Sequence, residues 1–231
     1  MNKKLLLAIL LLLFFSWIPL SFAESGQVEF VPSADTYVDV FSPLSNFGGA
    51  GTLNIAYSGN RVQLVWLKFS LSEHVPEGAT IDNAILKVFP TTVTETFQVG
   101  AFYCSNNSWG EYTINYVNQP EYSNTPLDTL LIPRSHEWYS WNVTQPVKNA
   151  FGGLSGASKE LSIVLKQIEG QTGYPSLQIG SREVSIRVSL FVHWNDIVPE
   201  FPSLLILSAL LIIMPLIAVA YKKRMTYLNR T

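Results

Sequence analysis

The stretch Ser185-Ile186-Arg187-Val188-Ser189-Leu190-Phe191-Val192-His193 alternates so that Ile186, Val188, Leu190 and Val192 fall on one side of an extended chain. A period of two matches a strand with one wet face; a helix needs apolar residues at 3.6. Thr80–Val88 repeats the pattern. Further short runs rich in β-branched and aromatic residues predict strands at Thr36–Phe41, Thr52–Tyr57, Gln63–Phe69, Ile81–Phe89, Gln98–Cys104, Thr129–Ile132, Glu137–Asn142, Leu161–Lys166, Leu177–Ile179 and Val184–Trp194. Between them stand Gly48-Gly49-Ala50-Gly51, Ser58-Gly59-Asn60, Pro76-Glu77-Gly78 and Glu169-Gly170, all turn chemistry. Many strands punctuated by turns, with almost no helical periodicity, predict an all-β chain: a jelly-roll-like β-sandwich built mainly from antiparallel pairs. One short helix is expected at Thr144–Phe151, with Thr144 as N-cap, Pro146 in the first turn and Gly152-Gly153 as the stop.

The two ends follow different rules. Lys3 and Lys4 precede an unbroken apolar run of 11 residues, Leu5–Phe15, and Ser21-Phe22-Ala23 then sets small residues before a cleavage point. These are the parts of a secretory signal peptide over residues 1–23; an uncleaved anchor is the alternative. At the other end Leu204–Tyr221 is 18 residues long and uncharged. As a helix it would span about 27 Å, close to the hydrocarbon thickness of a bilayer. Lys222-Lys223-Arg224 follows, which places a basic tail over residues 222–231 in the cytoplasm. The expected layout is residues 24–197 outside the cell, a linker at 198–203, and a transmembrane helix at 204–221. The linker Val198-Pro199-Glu200-Phe201-Pro202-Ser203, the apolar run and the basic cluster resemble, in that order, the PEF-CTERM sorting signal of archaeal surface proteins. The resemblance implies an archaeal source and an archaeosortase-type protease as partner, reading Pro199, Glu200 and Phe201. A permanent anchor on a proline-bearing stalk is the other reading.

The chain's formal charge of −2 sums unlike parts: residues 24–200 hold nine basic residues against all 17 acids, a net of −8. An acidic middle lacks the clustered cations that phosphate binding needs, which argues against nucleic acid as a partner. Cys104 is the only cysteine, so no internal disulfide can form and the exported body must rest on its core. Phe97–Cys104 is apolar on both faces, which predicts that this thiol is buried and inert.

In order along the chain, Ala34-Asp35-Thr36-Tyr37-Val38, Asn46-Phe47-Gly48, Val65-Trp66-Leu67-Lys68-Phe69, Pro76–Ile81 with Ala84-Ile85-Leu86, Trp109-Gly110-Glu111 with Thr113–Pro120, Trp141-Asn142-Val143-Thr144 and Ser181-Arg182-Glu183 resemble the DNRLRE-type domain. That domain is related to disaggregatase-like repeats and to jelly-roll carbohydrate-binding modules. The resemblance covers residues 33–195. Ile114 stands where the family carries Trp, and two extra residues precede Asn118-Gln119-Pro120. It implies two sheets packed face to face and glycan binding at a cell surface.

Sugar rings present an apolar face on which Trp and Tyr stack. Candidates for a ligand platform are Trp109, Tyr112, Tyr116, Trp138, Tyr139 and Tyr174, each with core packing or loop bracing as the plainer reading. Alternation over His136–Trp141 puts Trp138 and Ser140 on one face, Tyr139 and Trp141 on the other. Arg182 with Glu183 could grip a ligand, or form an ion pair that fixes the last strand; Lys68 poses the same choice. Asp35, Tyr37 and Asp39 share a strand face. That face is expected to be solvated; a structural Ca²⁺ is conceivable, but no ligand motif supports it. His74, His136 and His193 show no metal spacing, and no nucleophile elbow or phosphate loop is present. Asn106-Asn107-Ser108 and Asn142-Val143-Thr144 have the form of N-glycosylation acceptors; Asn106 lies beside a turn, Asn142 in a segment expected to be enclosed. These features favour a non-catalytic, membrane-tethered surface module binding envelope or environmental polysaccharide, with no cofactor. A structural or adhesive surface protein is the second reading, and a disaggregatase-like polysaccharide-degrading enzyme the third.

Overall fold

The computed structural model describes residues 25–195, except 60, 72–74, 77–78, 153–158 and 171–172, together with residues 219 and 222. The described strands are β1 (Ser25–Phe30), β2 (Ala34–Asp39), β3 (Thr52–Ser58), β4 (Arg61–Ser70), β5 (Thr80–Val88), β6 (Pro90–Val93), β7 (Phe97–Cys104), β8 (Asp128–Ile132), β9 (Tyr139–Asn142), β10 (Glu160–Gln167), β11 (Ser176–Gly180) and β12 (Ser189–Asn195). Helix α1 (Thr144–Gly152) joins β9 to β10. All strands lie within the unit Glu24–Ile197. The expected signal peptide, the Pro199-Glu200-Phe201 motif and the 204–221 run, save Val219, fall outside the described residues. Among the described residues no helix is long and apolar enough to cross a membrane.

A four-stranded sheet has the order β1-β12-β5-β9, and an eight-stranded sheet the order β6-β11-β3-β4-β10-β7-β8, with β2 also paired to β4. Their inner faces meet in one core. Ala84, Leu86, Val88, Trp141, Leu190 and Val192 come from the small sheet; Leu53, Ile55, Val65, Leu67, Phe69, Val99, Leu161, Ile163 and Leu165 come from the large one. The protein is therefore a β-sandwich. Trp141, fully buried, donates its indole N–H to the Val99 carbonyl at 2.9 Å and ties the sheets together. Full burial of each large apolar side chain contributes roughly 1.5–3 kcal/mol.

The large sheet also buries much of its outer face. Leu64 and Trp66 of β4, Phe102 and Cys104 of β7 and Val164 of β10 form a second cluster, closed by Trp109 and Ile114 with Tyr116 and Tyr122 packed against it. Those four come from the long connection between β7 and β8. This explains why Phe97–Cys104 is apolar on both faces: one row meets the sandwich core and the other meets the connection. Ile114 is 2% exposed and fills this second core.

Strand β4 organises the sheet. It pairs with β2 through Gln63–Lys68, with β10 through Val65–Ser70 and with β3 through Arg61–Gln63. Residues shared between two partners place β2 on one edge and both β3 and β10 on the other. So β3 and β10 divide one edge of β4 and part at Leu64.

Three expectations need correction. Strands β1 and β6 were not foreseen: Ser25–Phe30 contains Gly26, over which the Trp194 ring lies too close for any Cβ, and Pro90–Val93 is a four-residue edge strand opening on proline, where the missing N–H costs nothing. Val184–Val188 is not strand. The chain turns through Val184 N–H to the Ser181 carbonyl, Ile186 is 50% exposed, and pairing to β5 begins only at Ser189. Thr144 does not cap its own helix; its hydroxyl receives the Ala84 N–H at 2.9 Å and clips α1 to β5.

Candidate functional site

Four of the motif segments converge on Asp35. Its backbone N–H donates to Glu111 Oε1 at 3.1 Å, and its Oδ2 accepts the Arg182 N–H at 2.7 Å. Arg182 also donates to the Ser33 carbonyl, and its guanidinium stands 3.5 Å from Glu111 and 3.7 Å from Glu183. One oxygen each from Asp35, Glu111 and Glu183 lies within 4.8 Å of the others, a spacing that could accept a divalent cation; Arg182 is the positive charge that the protein itself supplies there. Asp35 is 1% exposed and its Oδ1 has no hydrogen-bond partner. Burial pushes its carboxyl up to about 7; the Arg182 N–H opposes the shift, while Glu183 and Glu111 add to it. Nearby, Asn46 donates to the Glu111 and Ile114 carbonyls, both at 2.7 Å, and the Phe47 ring stacks on Tyr37 at 4.3 Å. The expected solvated acidic face is thus wrong on both counts. Asp35 is enclosed, and Asp39, 6% exposed, accepts the Gln63 amide at 2.7 Å and the Phe41 N–H at 2.9 Å at the other end of β2. Burial raises the Cys104 thiol as well, and it donates to the Asn106 and Glu121 carbonyls.

A groove opens where β3 and β10 part. Its first section, about 210 Å³, is lined by Tyr57, Leu64, Tyr116, Gln119, Tyr122, Lys166, Gln167 and Glu169 among others. A second, about 570 Å³, continues over Gln98, Phe102, Asn124, Pro126, Thr129 and Ile168 and shares Lys166 and Glu169 with the first. Lys166 stands where the sections meet. Its ammonium lies 5.1 Å from the Phe102 ring centre, 5.4 Å from that of Tyr122, and 3.6 Å from Glu169. Gln119 is committed: its Oε1 accepts the Trp66 indole N–H at 3.2 Å and its Nε2 donates to the Tyr116 carbonyl at 3.0 Å. Gln167 is not. Alternation along β10 puts it in the inward row with Leu161, Ile163 and Leu165, yet it lines the gap left by β3, and neither amide atom has a hydrogen-bond partner although the residue is 5% exposed.

The sequence model of carbohydrate-binding module family 96 matches residues 26–193. The chain belongs to that family. No curated protein matches it.

Within this carbohydrate-binding module the aromatic residues singled out from sequence do not form one platform. Tyr116 lines the groove. Trp109 is 6% exposed, its indole N–H bonded to Ser162 Oγ at 2.9 Å and its ring under the Lys68 ammonium, so it braces the second core. Tyr112 is exposed, as are Phe41, Leu44 and Val117, and the Val117 N–H joins its loop to the Pro43 carbonyl. Trp138 is exposed but packs at 5.2 Å on Phe89, and half-buried Tyr139 donates its hydroxyl to the Arg134 carbonyl. Tyr174 is exposed. Arg182 belongs to the Asp35 cluster. Lys166, Gln167, Tyr57 and Tyr122 carried no motif; only the incongruity of Lys and Gln at the end of an apolar strand could have flagged the first two.

Proposed function

We propose that this module binds polysaccharide, without cleaving it, in the groove around Lys166, and that it does so outside the cell as a jelly-roll domain held by its C-terminal apolar segment. The observation that carries the site is the Lys166 ammonium, set against the Phe102 and Tyr122 rings where the two groove sections meet. Behind it the Gln167 amide is enclosed with both polar atoms unpartnered, at a cost of roughly 1–3 kcal/mol, which a sugar hydroxyl would relieve once the groove wall shifts to admit it. Lys166 adds a charged donor, and Tyr57, Tyr116 and Tyr122 supply ring surface. Among the described residues the groove lining contains one carboxylate, Glu169, whereas acid–base glycoside hydrolysis takes two facing each other. Export and tethering rest on the signal-peptide pattern, the uncharged 204–221 run and the basic residues after it; envelope or environmental polysaccharide follows from that placement.

The test is a glycan-array screen of the full chain in detergent, then titration of any bound polysaccharide with Lys166→Ala, Gln167→Leu and Tyr116→Ala. Loss of one charge-assisted hydrogen bond, about 1.5–3 kcal/mol, predicts roughly 10- to 100-fold weaker binding for Lys166→Ala. Variants that bind like the wild type would move the site elsewhere. Silence across neutral and acidic polysaccharides would favour an adhesive role, for which the exposed Phe41, Leu44, Tyr112 and Val117 offer a surface.

A further inference from the structure

The two glycosylation-type triplets have the same sequence form and opposite surroundings. Asn106 and Ser108 are both exposed, just beyond the end of β7. Ser108 donates its backbone N–H, at 2.9 Å, and its hydroxyl to Asn106 Oδ1. This closes a local turn in which the serine hydroxyl already polarises the asparagine amide and Nδ2 is directed at no partner among the described residues. The backbone of the segment is anchored by Asn107, through Nδ2 to the Glu160 carbonyl at 3.0 Å, and by the Cys104 thiol, which donates to the Asn106 carbonyl.

Asn142 is exposed too, against the enclosure expected from sequence, but its triplet is committed elsewhere. Asn142 pairs with Ile85 within the small sheet, and its N–H donates to Asp128 Oδ2 at 2.8 Å. Val143 is 0% exposed. Thr144 also donates its backbone N–H to Asn142 Oδ1, at 3.0 Å, but its hydroxyl accepts the Ala84 N–H at 2.9 Å and donates to the Ala84 carbonyl at 3.5 Å, so the hydroxyl is not offered to Asn142.

We propose that Asn106 carries an N-linked glycan and that Asn142 does not. The co-reactant is a lipid-linked oligosaccharide phosphate. Asn106 Nδ2 forms a bond to the anomeric carbon, the anomeric carbon–oxygen bond to phosphate breaks, the lipid phosphate leaves with that electron pair, and the amide proton passes to a carboxylate of the transferase. Asn107 contacts β10 at Glu160, while the groove residue Gln167 is seven steps along that strand, about 23 Å away. The glycan is therefore attached far along β10 from Lys166 and Gln167. The modification rests on the export proposed above.

The experiment is peptide-level mass spectrometry of the full chain, purified from cells with an oligosaccharyl transferase acting outside the cytoplasm. Glycan mass on the Asn106 peptide, none on the Asn142 peptide, loss in Asn106→Gln and Ser108→Ala, and retention in Ser108→Thr are expected. Asn106→Gln should leave polysaccharide affinity unchanged. A bare Asn106 overturns the proposal, and so does a glycan on Asn142. The mature N-terminus, read from the same digest, separates a failure of export from a failure of this assignment.

Discussion

Replacing Asp35 by asparagine should stabilise the module at pH 8 and leave it almost unchanged at pH 4. Burial holds the Asp35 carboxyl at about 7, against an ordinary 3.8, with Glu111 and Glu183 adding to the shift. Between those values the native state keeps a proton that the unfolded chain has released. The free energy of unfolding therefore falls as pH rises from about 4 to about 7, stays at the penalty above that, and carries no penalty below 4. At about 1.4 kcal/mol per pH unit, the distance from 3.8 to about 7 sets a ceiling of about 4 kcal/mol. Asparagine retains an acceptor for the Arg182 N–H and turns an amide N–H₂ toward the position of Oδ1, which has no partner. For a domain of this size, each kcal/mol moves Tm by about 2–4 °C, so the gain at pH 8 is at most about 8–16 °C. Thermal melts of wild type and D35N at pH 4, 6 and 8 in chelator provide the assay. If asparagine lowers Tm equally at all three values, the carboxylate is charged in the native state and Arg182 holds it; the reasoning then fails.

Trp141→Phe removes the indole donor to the carbonyl of Val99, a residue that stays paired with Leu130 in the sheet, so a loss of about 0.5–1.5 kcal/mol is expected from the urea midpoint; no change would mean the bond does not help to hold the sheets. Gly180→Ala would set a Cβ 2.0 Å from the Ile186 carbonyl oxygen, a backbone atom that cannot swing aside. Overpacking of this kind costs about 1–3 kcal/mol or more, and it should displace the turn carrying Arg182; a melting curve like the wild type's would contradict this.

The strands were legible wherever one face is wet, because alternation is then written into every second residue, as in Thr80–Val88. It misled at Val184–Ile186, where Ile186 keeps the rhythm but Gly180 receives its carbonyl in a turn. β1 escaped because Ser-Gly-Gln-Val-Glu-Phe carries weak strand preference and is held by pairing with β12 along its whole length. Among site residues, the Asp35, Glu111, Arg182 and Glu183 motif was visible as a set of segments, but not as one cluster. Lys166 and Gln167 were invisible, since nothing local distinguishes a groove from a sheet surface.

By itself the sequence determined an extended, disulfide-free, two-faced chain with a doubly apolar Phe97–Cys104 strand that had to be covered twice, since a period of two and the need to bury apolar rows act locally. Only the tertiary structure decided that residues 105–127 supply the second cover, that β3 and β10 share an edge of β4 and part at Leu64, and that Gln167 faces the gap. Those facts depend on which distant segments meet, and chain neighbours carry no record of that.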